Sequence, residues 1–264
     1  MMSTLLTRTL YEKRWFITGW SVVLGVMSAV VLMFYPSFSD TGGFAAVAKT
    51  MPSQLRGLVG DPEIFSSIEG FIALQVYDVR MSLLLIISMI ILATGLTVRE
   101  EESGDLRTTL ATKLSRTRLV TEKFIAAIII VMLLNLAAIA GIYIGLISLS
   151  ETMPHELLWK LFALSCLFGV TAFVIPFSVA LATGKRGITM FIGLFVAIGS
   201  YILTTFARSV DWLKDWEPLS LMHYYDTASI RHGSFDNVDT VVLGLIIVFA
   251  LTVATAVFRK RDIA

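Results

Sequence analysis

Six runs in this 264-residue chain, each 18 residues or longer, contain no charged side chain, and no soluble domain of this length needs so many. They cover 16–35, 81–98, 124–149, 161–183, 188–207 and 241–258. At about 1.5 Å per residue a helical run of this length crosses the roughly 30 Å hydrocarbon core of a bilayer. Backbone N–H and C=O groups inside lipid must be satisfied within the segment itself, so each run is expected to be a helix. Composition agrees: 56% of the residues are hydrophobic and 16% charged, against about 25% charged in ordinary soluble domains. The expected fold is an all-α polytopic membrane protein with six transmembrane helices, forming one domain over 1–264. The first run could be taken for a secretory signal, with Ala46-Val47-Ala48 as the cleavage site. It is too long for that, and the site lies well past its end.

Charge sets the orientation. Fourteen of the 21 Lys and Arg residues fall in the N-terminal segment, the stretch 99–123, the turn 184–187 and the tail after 258. The other seven (Lys49, Arg56, Arg80, Lys160, Arg208, Lys214 and Arg231) are spread through the longer segments 36–80, 150–160 and 208–240. Short basic loops stay in the cytoplasm, so both termini are expected inside, N-in and C-in, with 36–80 and 208–240 external. Arg8, Lys13 and Arg14, opposite Leu6, Leu10 and Tyr11, suit a helix lying at the inner interface with Trp15 at headgroup depth. In 208–240, Trp212, Trp216, Tyr224 and Tyr225 predict short interfacial or re-entrant helices on the outer side. A net charge of +1 argues neither for nor against nucleic acid, and with no basic patch beyond these topological positions no nucleic-acid partner is expected. The partner the composition does demand is the lipid bilayer.

The stretch 99–123 does more than connect two spans. Eleven of its 25 residues are charged. Leu106, Leu110 and Leu114 recur every four residues and form one apolar stripe, with Arg107, Thr108 and Lys113 on the other faces. Ser103 or Asp105 can cap the start of such a helix, and Glu100, Glu101 and Glu102 suit its positive end. Ser115 offers an N-cap for the next span. The expected product is a short amphipathic helix on the cytoplasmic side, available to a soluble partner.

Little here points to chemistry within the chain. Cys166 stands alone in an apolar run, His155, His223 and His232 are scattered, and Gly184-Lys185 lacks the upstream glycine of a phosphate-binding loop. No ionisable residue interrupts the six runs, so a proton relay or ion path has no obvious carrier. Asn135 is the main polar interruption, and an interhelical hydrogen bond is its ordinary use. Gln75, Asp78 and Arg80 precede the second run, where a single helix over 70–98 would place them near the outer boundary. Asn135, Gln75 and Asp78 are thus the candidates for a substrate path. A secondary carrier or channel would want more polar groups than these. An intramembrane lipid-modifying enzyme or protease would have only Asp78, His223 and Asp226 to work with.

Order and spacing carry a resemblance. Glu100-Glu101-Glu102-Ser103-Gly104-Asp105-Leu106, then Leu110, Leu114-Ser115-Arg116 and Lys123 opening an apolar span, resemble the segment joining the second and third spans of ABC-2 type permeases. Leu55-Arg56-Gly57-Leu58-Val59-Gly60 is similar to an external element of the half-size drug and bacteriocin exporters, and Phe258-Arg259-Lys260-Arg261-Asp262-Ile263 to their ending. One departure is Lys113-Leu114, where many relatives place a proline before Ser-Arg.

The resemblance implies a six-span permease subunit in the plasma (inner) membrane of a prokaryote, working as an exporter with a second permease copy or close homologue. ATP and Mg would be bound by a separate ABC ATPase subunit, and the chain itself would be no enzyme and hold no cofactor. ATPase coupling would fall to Glu100, Glu101, Glu102, Gly104, Asp105, Leu106, Arg107, Leu110 and Leu114. Small residues in the 19–25 region of the first span or the 193–199 region of the fifth are the expected contact between copies.

Overall fold

A computed structural model describes residues 5–39, 67–110, 115–207, 210–227 and 237–261. The element at 55–60, Leu114 and the ending at 262–263 lie outside these residues. Among the described residues every regular element is helical. Six helices are long and apolar enough to cross a membrane: Arg14–Ser37, Ile68–Glu102, Arg116–Leu149, His155–Thr183, Arg186–Ala207 and Val238–Lys260. The chain is an all-α, multi-pass membrane protein.

In chain order, α1 (Leu5–Glu12) leads into α2 (Arg14–Met33), the first span, which is followed by α3 (Tyr35–Ser39). The second span is composite: α4 (Ile68–Phe71), a π-helical stretch Ile72–Met81 and α5 (Ser82–Leu96). Two short helices, α6 (Val98–Glu102) and α7 (Asp105–Leu110), make the loop. The remaining spans are α8 (Arg116–Leu149), α9 (His155–Thr183), α10 (Arg186–Ala207) and α12 (Asn237–Lys260), with α11 (Asp211–Lys214) between the last two.

Local chemistry explains the boundaries. Ser115 has an extended backbone, and its hydroxyl accepts the Arg118 N–H at 3.2 Å, the expected N-cap of the third span. Ser150 (φ 57°) and Gly184 (φ 61°) end the third and fourth spans in the left-handed conformation that closes a helix. Pro176 lies inside α9, which continues through it, although its missing N–H removes one backbone hydrogen bond.

The spans are unequal in burial. In the most apolar 18-residue windows of the second, third and fourth, 72%, 56% and 67% of residues are buried, against 17%, 28% and 17% in the first, fifth and sixth. The first group is the core of the bundle and the second its periphery, which leaves broad apolar faces such as Phe191, Phe195, Val248 and Phe249 exposed. The first span is held by close backbone approach to the third. A Cβ on Gly141 would lie 2.0 Å from the Gly25 carbonyl oxygen, and one on Gly145 would lie 2.7 Å from the Leu32 Cβ. Gly25 is therefore consumed within the chain, and Gly193, 2.9 Å from Ile90 by the same measure, is too. Gly19 and Gly199 face open space.

The second span departs from the expected α-helix over 70–98. Its outer part is π-helical over Ile72–Met81, and Arg80 Nη1 folds back to donate to the Gln75 carbonyl at 2.7 Å and to the Gln75 amide oxygen. Its inner part breaks at Thr97 (φ −129°, ψ −79°), two residues before the charged stretch begins.

Outside, the aromatic segment behaves partly as expected. Trp212, Trp216 and Leu219 are exposed, whereas Leu221 and Tyr225 tuck into the bundle. Tyr225 stacks on Phe168 with ring centroids 4.4 Å apart, and burial pushes its phenol well above the ordinary range. The Ser220 hydroxyl donates to the Ser200 carbonyl at 2.8 Å, and the Leu221 N–H donates to the Ser200 hydroxyl at 3.0 Å, which ties the segment to the fifth span.

Candidate functional site

A helix that stops inside a membrane protein exposes its last carbonyls, and they must be met by something. At the break after Leu96 they are met by side chains. The Thr97 hydroxyl donates to the Ala93 carbonyl at 2.6 Å. Lys13 Nζ, from the start of the first span, donates to the Gly95 carbonyl at 2.8 Å. Lys123 Nζ, from the third span, donates to the Leu96 carbonyl and to the Glu100 carboxylate. Two ammonium groups thus sit at the negative end of the α5 dipole, the favourable end for cations. Burial pushes the Lys13 ammonium below its ordinary value; nearby Glu100 opposes this, while Arg99 and Lys123 add to it.

Lys123 is the most consequential of these groups. Its residue is 1% exposed, so an ionisable side chain is enclosed at the inner end of the bundle, which the uncharged runs had not led one to expect. The sign was present in the sequence. Lys123 falls on the same helical face as Leu119, Ala126, Ala127 and Ile130, all buried in α8. A charge placed on an apolar stripe calls for a partner, and here Glu100 supplies it.

The neighbouring acids are divided in the same manner. Glu101 accepts from Arg261 Nη2, and Arg261 Nη1 donates to the Leu181 carbonyl at 3.1 Å. Arg116 Nη1 donates to the Phe258 carbonyl at 2.8 Å and to the Arg261 carbonyl, while its guanidinium lies 5.7 Å from the centroid of the Phe258 ring. Glu122 accepts the Leu6 N–H at 3.0 Å and pairs with Arg118 at 2.7 Å, which docks α1 on the third span. The first α-helix, the 99–123 loop, the 184 turn and the sixth-span end therefore meet at one end of the bundle. The charge bias assigns that end to the cytoplasm.

The anticipated coupling residues separate into two groups. Glu100 and Glu101 are engaged within the chain and Glu102 is exposed. Gly104 has φ 81°, a value glycine tolerates best, and turns the chain between α6 and α7. The Ser103 hydroxyl donates to Asp105 Oδ2 at 2.7 Å. Leu106 is buried, lining a small recess with Leu119, Leu181 and Phe258, so the first leucine of the stripe packs on this chain's own spans. Arg107 and Leu110 belong to α7.

The substrate-path candidates are not gathered into one site. Asn135 lies midway along α8, fully buried, and its Nδ2 donates to the Val131 carbonyl of its own helix at 2.9 Å, in place of the expected interhelical bond. Its Oδ1 has no hydrogen-bond partner among the described residues. Gln75 and Asp78 sit in the π-helical outer part of the second span. No group of three or more His, Cys, Asp or Glu side chains able to hold a metal comes together among the described residues.

A family model described as "Protein of unknown function (DUF2705)" matches residues 61–264, from before the second span through the sixth. No match is found among curated proteins.

Proposed function

We propose that this chain, which belongs to the DUF2705 family, is the transmembrane permease subunit of an ATP-driven exporter of the ABC-2 type in a prokaryotic plasma membrane. A separate ATPase would bind ATP and Mg and dock on the loop 99–123, and a second permease copy would complete the transport path. The observation that carries this reading is the mechanical arrangement of the loop. α6 and α7 are connected to four of the six spans: through Lys123 to the third, through Arg261 to the sixth and, by way of its bond to Leu181, the fourth, and through the break at Thr97 to the second. A push on α7 would be passed to the bundle through charge-assisted hydrogen bonds, which are about twice as strong as neutral ones. The resemblance of 100–123 to the coupling segment of that family supports the same assignment.

The partner would read Glu102 and Asp105, both exposed, together with Leu110 and Leu114, which the resemblance assigns to coupling. Leu110→Asp should leave the protein inserted but prevent ATPase co-purification, because a buried uncompensated charge costs several kcal/mol, on the order of 3–5 in a closed recess. Glu102→Gln, at an exposed position, should have little effect. Normal export by Leu110→Asp would refute the coupling role. The second reading, a secondary carrier, is favoured by the unpartnered Asn135 Oδ1 in the bundle core. It predicts transport that persists without any ATPase and stops with Asn135→Leu.

A further inference from the structure

Between the first, second and fifth spans, at the end where their sequence turns from apolar to charged, lies a cavity of about 320 Å³. That is within the size range of sites that hold small ligands, roughly 300–1,000 Å³. Its floor is apolar, formed by Phe16, Leu92 and Met190, and its rim is cationic, formed by Lys13, Arg99 and Arg186. One acid, Glu12, also lines it, but that carboxylate is held by Arg8 at 2.7 Å. Arg99 and Arg186 are exposed and have no ion-pair partner among the described residues. Lys13 already spends one donor on the Gly95 carbonyl, which fixes its ammonium at the cavity wall. Trp15, three-quarters exposed, marks the depth at which lipid headgroups begin.

Three cations facing one cavity without a free acid call for an anion. The apolar floor and the exposed Ile91 beside it call for hydrocarbon. We infer that this cavity binds the headgroup of an anionic phospholipid from the adjacent leaflet, with the phosphate between Arg99 and Arg186 and the upper acyl chain along Phe16 and Ile91. A soluble anion would gain nothing from the apolar floor, and a zwitterionic lipid would bring its own cation against the arginines. Burial weakens the hold of Lys13 on its proton, and a bound anion would reverse that tendency. This assignment does not depend on the transport mechanism.

The test uses the full chain purified in a neutral detergent. Dioctanoyl phosphatidylglycerol, dioctanoyl phosphatidylcholine and inorganic phosphate are titrated separately, with retained lipid read by native mass spectrometry and melting followed in parallel. Phosphatidylglycerol should bind at least about 25-fold more tightly than phosphatidylcholine and raise the melting temperature, while phosphate alone should do neither. Each basic residue near an anionic surface contributes roughly fivefold, so Arg99→Gln with Arg186→Gln should remove about 25-fold of that preference. Phosphatidylcholine binding and helical content should stay unchanged in that variant, and Lys160→Gln, at the opposite end, should behave as the parent. Equal binding of the two lipids, an undiminished preference in the double variant, or displacement of phosphatidylglycerol by millimolar phosphate would each overturn the inference.

Discussion

Replacing Lys123 by Met keeps most of the side-chain volume and removes only the ammonium. Two groups then lose their partner: the Leu96 carbonyl at the end of α5 and the Glu100 carboxylate. An unsatisfied buried carbonyl costs about 1–3 kcal/mol. Stranding one member of a fully buried ion pair costs about 3–5 kcal/mol. The Glu100 side chain is 19% exposed, so water can recover part of its hydration and the second figure is an upper bound. A total of about 3 kcal/mol is expected for Lys123→Met. Adding Glu100→Gln removes the stranded charge and should restore about 1–2 kcal/mol, a coupling typical of groups in direct contact. Glu102→Gln, at an exposed position, should stay within about 0.5 kcal/mol. Reversible unfolding in mixed micelles, followed by circular dichroism, measures the parent, the three single variants and the double variant. If Lys123→Met changes stability by less than about 0.5 kcal/mol, or if its effect adds to that of Glu100→Gln without coupling, the clasp is not the element described here. In the coupling reading the double variant should regain stability and still fail to link ATP hydrolysis to transport.

Gly141→Val should separate the first and third spans, because even a Cβ there meets the Gly25 carbonyl at 2.0 Å; a lowered melting temperature would report it, and an unchanged one would contradict it. Glu101→Gln should weaken the hold on Arg261, more than an exposed glutamate would, and show as faster proteolysis of the tail after Phe258. The depressed Lys13 value has a defined sign: between that value and the ordinary 10.5 the unfolded chain binds more protons, so stability should rise with pH through this window, and Lys13→Met should flatten that rise in melts taken at increasing pH up to 10.5. Cysteines introduced at Asp215 and Leu221 should label rapidly and slowly from the outer side, since the first position is exposed and the second 6% exposed; equal rates would argue for an open loop.

The sequence determined the number of spans, their approximate limits and the end at which the charges collect, because crossing lipid leaves a chain few choices. Six uncharged runs become six helices for that reason, and Ser115 caps the third span because a hydroxyl next to a helix start has a local partner within three residues. The tertiary structure decided what depends on residues far apart in sequence. Lys13 reaches Gly95 across 82 positions, Lys123 reaches Leu96 across 27, and Arg261 reaches Glu101 across 160. No local pattern specifies those meetings. They follow from which helix faces pack, and that was set by close contacts such as Gly25 on Gly141. The break at Thr97 was likewise invisible locally, since it exists where Lys13 and Lys123 from other spans satisfy carbonyls that an uninterrupted α-helix would have kept for itself.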